Sequence, residues 1–535
     1  MPRKANLKRI IAIILTCSLL IGLTGCKKDK QANKLFKYDL SAEPLNLDPQ
    51  LATDYASLLV IENLFEGLLR VNPDGKLTEG VATDYKVSND GKRYTFTLRQ
   101  NAKWHDERDL NADDFIFAFR RLMNPVTQSP SAKNFYCIKN AQKCLEEKLD
   151  LKNLGVRKEG PYTLIFDLEY PNAMFPQLLT TAAAMPCNEV YFNITKGKYG
   201  LETDTTAANG PFYLKYWAHN DYLSLRRNQQ FHQANAVRPT GVSFIITQQR
   251  EEAVERFSKK QTDAILFRSS DYAAFQDKGY QVVESATATW GIVLNQKKKP
   301  FANLNIRKAL MYCLDRDSYQ SALPAYFTTA RALIPPSIHL LDKQYRAYAG
   351  DSIVRGYDAK TAKTFFNKGL EQIEQKNLPN MSILVPDDLP HEQIFSYVSQ
   401  IWQRELGFYL AVEKLPQKEY DAKLAAGDYD CAIISLQADY NSPEAILSKF
   451  VKDNAFNRFG YSSAEYASLL AGATQKSDLA ATADVFKKTE EMLLNDAVYL
   501  PLYYQTEYFA CAKTVTDLQY DPSNRMIDFM RAGKK

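Results

Sequence analysis

The chain has 535 residues, of which 45% are hydrophobic and 24% charged, with a formal charge of +5. That length exceeds one ordinary core and predicts two to four domains, or one large body with insertions. Four positive charges (Arg3, Lys4, Lys8, Arg9) fall in the first nine residues, so the remainder is nearly neutral with interspersed signs, which excludes an electrostatic case for nucleic-acid binding.

The first element in chain order is a leader. The four basic residues precede an apolar run from Ile10 to Leu23, too short and wrongly flanked for a membrane span, so residues 1–25 read as a secretory signal peptide. Leu23-Thr24-Gly25-Cys26 resembles a bacterial lipobox, which implies cleavage before Cys26 and lipid on that residue. Residues 26–35 are a charged tether with nothing apolar enough to pack. The expectation is an exported lipoprotein on the outer side of a cell membrane, exposed to the extracellular or periplasmic space, with the lipid as its anchor.

After the tether, strand and helix patterns alternate. Tyr94-Thr95-Phe96-Thr97-Leu98-Arg99 alternates strictly after the turn Asn89-Asp90-Gly91. Asn111-Ala112-Asp113-Asp114 caps a helix that runs to Leu122 and ends at Asn124-Pro125. A further strand covers 162–168, and strands are expected at 242–246, 264–267, 290–295, 382–385 and 430–435. Helices are expected at 249–259, 306–314, 359–372, 392–406 and 479–495. The alternation predicts α/β domains with parallel pairing, joined by short connections. Beyond Cys17 and Cys26 there are six cysteines. Cys137 and Cys144, two turns apart if on one helix, are too distant to bridge. Cys313 and Cys431 sit in apolar runs and read as buried thiols.

An ordered set of blocks resembles the oligopeptide- and dipeptide-binding proteins of ABC importers (extracellular solute-binding family 5). It runs through Glu43-Pro44-Leu45-Asn46-Leu47-Asp48-Pro49 and Leu64-Phe65-Glu66-Gly67-Leu68-Leu69, which resemble that family's opening strand and first helix. It continues with the capped helix with Phe115 and Phe119, Asn209-Gly210-Pro211-Phe212-Tyr213-Leu214, Ile306-Arg307-Lys308-Ala309-Leu310, Asp439-Tyr440-Asn441-Ser442-Pro443 and Leu500-Pro501-Leu502-Tyr503-Tyr504. The resemblance implies a two-lobe, Venus-flytrap α/β fold of the periplasmic-binding-protein type, with a further domain inserted in the first lobe. The expected division is 36–65, 191–286 and 507–535 for lobe I, 66–190 for the inserted domain, and 287–506 for lobe III. It also implies a monomer that binds a peptide ligand between its lobes and delivers it to ABC-transporter permease subunits. Peptide sensing without import is the alternative.

The resemblance assigns site residues one by one. Asp439, after a strand, implies a carboxylate for the ligand's α-ammonium; by its surroundings alone it reads as a turn aspartate. Thr53, Asp54 and Tyr55 fall where relatives pair a strand edge with the peptide backbone, and equally read as the loop before a helix. His391 falls where the ligand's carboxylate is met, although a lone His opening a helix is ordinarily a surface residue. Leu436 and Gln417 replace tryptophans of the pocket lining, Ile433 and Leu424 replace arginines, and Ser131 replaces a tyrosine. The amine anchor is kept while the lining is changed. Phe115, Phe117, Phe119, Trp104 and Trp217 read as packing. A lipid-anchored hydrolase is the reading from another class, but there is no Gly-x-Ser-x-Gly elbow, and the helix that opens with His391-Glu392 lacks the second zinc-binding histidine. The five histidines do not cluster, and neither cofactor nor metal is expected.

Overall fold

The computed structural model describes residues 35–535 apart from 73–74, 269–270, 276–277, 322, 325–326, 342, 388–390, 453 and 477. The leader, Cys26 and most of the tether lie outside the described residues.

Two long strands organise the molecule. Gln281–Leu294 and Tyr499–Cys511 pair antiparallel from Gln281 opposite Cys511 to Val293 opposite Tyr499. The partners on either side change half-way along. Tyr499–Cys511 pairs with Phe327–Thr329 through Tyr503 to Gln505, but with Ala264–Arg268 from Glu507 onward. Gln281–Leu294 acquires its second neighbour, Cys431–Gln437, only from Ala288. Between those points only the two long strands continue, and their register slips there, between Ala286 and Ala288. A bulge of this kind bends a strand pair and raises its local twist.

Around this crossing lies one sheet of eleven strands among the described residues. On one side the order runs Ala264–Arg268, Leu35–Leu40, Gly241–Ile246, Tyr222–Arg227 and Phe212–Ala218. On the other it runs Cys431–Gln437, Met381–Pro386 and Leu410–Leu415. The expectation of parallel pairing holds only locally. Leu35–Leu40 is parallel to both its neighbours and Met381–Pro386 to both of its own, whereas the remaining ladders are antiparallel. The reason is that the crossing strands run once in each direction through both halves, which forces antiparallel pairs at the centre of the sheet.

Each half has its own core. One gathers Phe36, Tyr38, Phe244 and Phe529 with the side chains of the 82–187 region, and the other gathers Ile292, Ile383, Trp402, Ile433 and Tyr499. The 82–187 region contributes a four-stranded antiparallel sheet, Ala82–Val87, Arg93–Leu98, Thr163–Asp167 and Val156–Lys158. The helix Ala112–Leu122 lies on it, with Phe119 edge-on to Phe166 at 5.0 Å. Its start is a full capping box: Asn111 accepts from the Asp113 amide at 2.8 Å and Asp114 from the Asn111 amide at 2.9 Å. Phe115 and Trp104 are buried as packing residues.

Two local expectations are corrected. Glu43–Pro49 is loop; the opening strand is Leu35–Leu40 and the first helix Tyr55–Leu64, which ends where Leu64-Phe65-Glu66 begins. Cys137 precedes the short helix Ala141–Leu145 that carries Cys144, so the two share no helix face. All six described cysteines are free and buried.

Candidate functional site

The two halves meet at the crossing strands and along a polar seam beside them. Arg525, in a C-terminal hairpin, donates to the Gln437 side chain at 3.4 Å, stacks over the Tyr55 ring at 4.7 Å and stands 3.4 Å from the Glu507 carboxylate. Gln505, Thr506 and Glu507 are three consecutive buried polar residues in a strand buried along its whole length. Further out, the 172–177 segment reaches across: Ala173 donates to the Lys476 carbonyl at 3.0 Å and Gln177 to the Asn441 carbonyl at 3.2 Å. Met174 is buried in the core of the opposite half.

The strand Cys431–Gln437 presents an edge to this seam. It pairs with Gln281–Leu294 along its whole length but with Met381–Pro386 only at Cys431 and Ala432. From Ile433 onward the other edge has no strand neighbour among the described residues. The Ile433 carbonyl takes the Tyr420 hydroxyl at 2.7 Å, while the Ser435 hydroxyl is buried with no hydrogen-bond partner. A strand end with an open edge is where an extended chain can add main-chain hydrogen bonds.

The residues singled out in the sequence scatter around this edge. Asp439 lies two positions beyond the strand with its side chain 71% exposed, and both its oxygens sit 2.7 Å from the Lys449 ammonium. Asp54 caps the helix Tyr55–Leu64 by accepting from the Ser57 amide at 2.8 Å, and its Oδ2 is buried without a partner. Tyr55 donates to the Arg525 carbonyl at 3.1 Å, and Thr53 is exposed. Leu436 is fully buried in the second core. Gln417 opens the helix Gln417–Ala426 and donates to Asp421, and Ser131 is half-buried before a short 3-10 turn. His391 is the first residue of the helix His391–Leu406; its side chain lies outside the described residues.

Sequence reasoning missed Arg525, Gln437, Glu507 and Glu444. Glu444, in the helix Pro443–Leu447, has a buried Oε2 with no partner, and burial pushes its carboxyl up to about 7 against the opposing Tyr440 hydroxyl. The one available signal was polar residues in otherwise apolar strand and helix starts; their convergence is tertiary. Among the described residues there is no cluster of three metal-ligating side chains and no helix long and apolar enough to cross a membrane.

Known proteins share this whole architecture. The chain is 28% identical to the oligopeptide-binding protein OppA of Bacillus subtilis over 517 residues, covering 93% of this chain and 94% of that one. It is 26% identical to the dipeptide-binding protein DppE of the same organism, over 94% and 95% of the two chains. Among solved structures it matches Listeria monocytogenes OppA bound to peptide with a TM-score of 0.75 and 25% identity, covering 94% of this chain and 99% of that one. The match over nearly the whole of both chains gives this chain the two-lobe α/β fold of the periplasmic-binding-protein type. The model of the bacterial extracellular solute-binding proteins, family 5 (middle) matches residues 76–458, and the chain belongs to that family.

Proposed function

We propose that this protein is a lipid-anchored receptor that captures peptides between its two lobes and delivers them to an ABC-transporter permease. The observation that carries the reading is the open edge of Cys431–Gln437 beyond Ala432, set at the seam between two separately cored halves. An extended peptide lying there gains main-chain hydrogen bonds whatever its side chains are, which suits a receptor for many sequences. Near-complete alignment with relatives named for oligopeptide and dipeptide binding supports the same ligand class.

In this reading the lobes divide at residues 286–287 and 506–507, with 66–190 inserted in the first. Asp439 meets the ligand's ammonium group, and Thr53, Asp54 and Tyr55 form the opposite wall. His391 approaches the ligand's carboxylate, and Gln417 and Ser131 line the remainder, while Leu436, enclosed in the second core, is not part of the lining. Ligand touches both lobes only when they are closed, so binding shifts the population toward the closed form that a permease recognises. The lipid on Cys26 keeps the receptor at the membrane surface, and no bond of the peptide changes.

Mass spectrometry of small molecules released from the purified protein tests this. Intact short peptides are expected. Release of cleaved peptides, or of non-peptide solutes alone, would overturn the proposal.

A further inference from the structure

The segment Asn172-Ala173-Met174-Phe175-Pro176-Gln177 is rooted in one half of the molecule and packed into the other. Phe175 belongs to the first core, its ring 5.1 Å from that of Tyr94 and 5.2 Å from that of Phe166. The Tyr94 hydroxyl donates to the Asn172 carbonyl at 2.8 Å, and the Asn172 side chain accepts from the Met174 amide at 2.9 Å. Met174 then crosses the seam: it is 1% exposed and lies in the second core. Two hydrogen bonds flank it, from the Ala173 amide to the Lys476 carbonyl at 3.0 Å and from the Gln177 side chain to the Asn441 carbonyl at 3.2 Å. In the reverse direction the Tyr440 ring packs against the first core.

These contacts make a preshaped peg and its socket. The bonds that shape the turn around Met174 come from the first half, so the peg keeps its form when withdrawn and docking orders little. The socket supplies apolar burial and two acceptor carbonyls. All of these contacts join protein groups, so they act with or without a ligand. Burial of one methionine side chain favours the engaged form about 10- to 100-fold. The socket also includes the loop of Asp439. Asn441, buried two residues beyond it, accepts from the His339 amide at 2.7 Å through its side chain.

We propose that the 172–177 segment is a closure latch: Met174 pins the closed lobes and, through Gln177 and Asn441, positions the loop that carries Asp439. The inference rests on the reading that the lobes close over a peptide. It adds that part of the free energy of closure is built into the protein. Opening withdraws Met174 into water, so the latch raises the closed fraction and with it the affinity for every peptide alike.

Small-angle scattering of the purified protein, titrated with a defined equimolar mixture of tri- to pentapeptides, tests the latch. Met174→Ala is expected to lower the closed-to-open ratio about 10- to 100-fold. Where the empty wild type is mostly closed, the variant is a larger ligand-free particle. Where it is mostly open, the compaction midpoint rises by that factor. Met174→Leu keeps the apolar volume and should behave as wild type. Gln177→Ala removes one flanking bond, for a shift of about 2- to 10-fold, and takes the place of Met174→Ala if that protein fails to fold. A wild type that compacts with peptide, beside a variant of unchanged ligand-free size and unchanged midpoint, would overturn the latch alone. A wild type that does not compact would overturn the reading of closure over a peptide, and the latch with it.

Discussion

Asp439→Asn removes one charge at nearly constant shape, and the surroundings of that carboxylate set the size of the effect. A carboxylate sealed in a dry cleft would lose roughly 3 to 5 kcal/mol of ligand binding on neutralisation. Asp439 is not so placed: its side chain is 71% exposed, and Lys449, itself only 14% exposed, already touches both oxygens. A ligand ammonium at about 4 Å gains between about 1 and 4 kcal/mol, depending on how far the lobes exclude water, and Lys449 competes for the same oxygens. We expect Asp439→Asn to cost about 1 to 2 kcal/mol, which is about 5- to 30-fold in Kd. Lys449→Met frees the carboxylate and should strengthen the preference for a free amine. The assay is calorimetry with a peptide recovered from the protein and its N-acetyl form, against wild type and Asp439→Asn. Both changes delete one shared contact, so their costs should not add. Equal wild-type affinity for the two peptides, or fully additive losses, would show that Asp439 is a turn residue and nothing more.

The buried pair of Arg121 and Asp48 fastens the opening loop to the capped helix, with contacts of 2.5 and 3.2 Å and the Phe192 ring 4.1 Å from the guanidinium. Asp48→Asn should destabilise the protein by about 3 to 5 kcal/mol, because it leaves the guanidinium buried without its counter-charge, and a loss below about 1 kcal/mol in urea unfolding would contradict this. At Gly291, beside the second register slip of the crossing strands, an added Cβ would stand 2.3 Å from the Tyr499 ring and 2.6 Å from the Leu500 carbonyl. Gly291→Ala is therefore expected to cost about 1 to 3 kcal/mol, checked by the same unfolding curve. Cys26→Ser should abolish fatty-acid labelling and leave the protein unanchored or unprocessed; labelling at the wild-type level would exclude Cys26 as the lipid site.

Much of this protein is legible in its amino-acid sequence. Helices with a solvent face carry their own period and caps: Asn111 and Asp114 mark the start of Ala112–Leu122, and the stretches 359–372 and 479–495 coincide with the helices Ala359–Gln372 and Leu479–Asn495. The ordered blocks from Glu43 to Tyr504 identify the family, because sequence order along a chain is itself a pattern. The crossing strand Tyr499–Cys511 is legible only as one such block. All thirteen of its residues are buried, so no face alternates with another and periodicity is erased. The parallel sheet expected from alternating strands and helices fails for a related reason. Pairing direction depends on which distant strand arrives beside another, and strands 281–294 and 499–511 bring residues more than 200 positions apart into register. Tertiary structure likewise decides the chemistry at the seam. That Lys449, ten positions further on, occupies Asp439 is set by the folding of one lobe, and that Arg525 spans from Tyr55 to Gln437 is a consequence of two lobes meeting. A carboxylate's environment is set by what packs over it, and no local stretch of sequence carries that information.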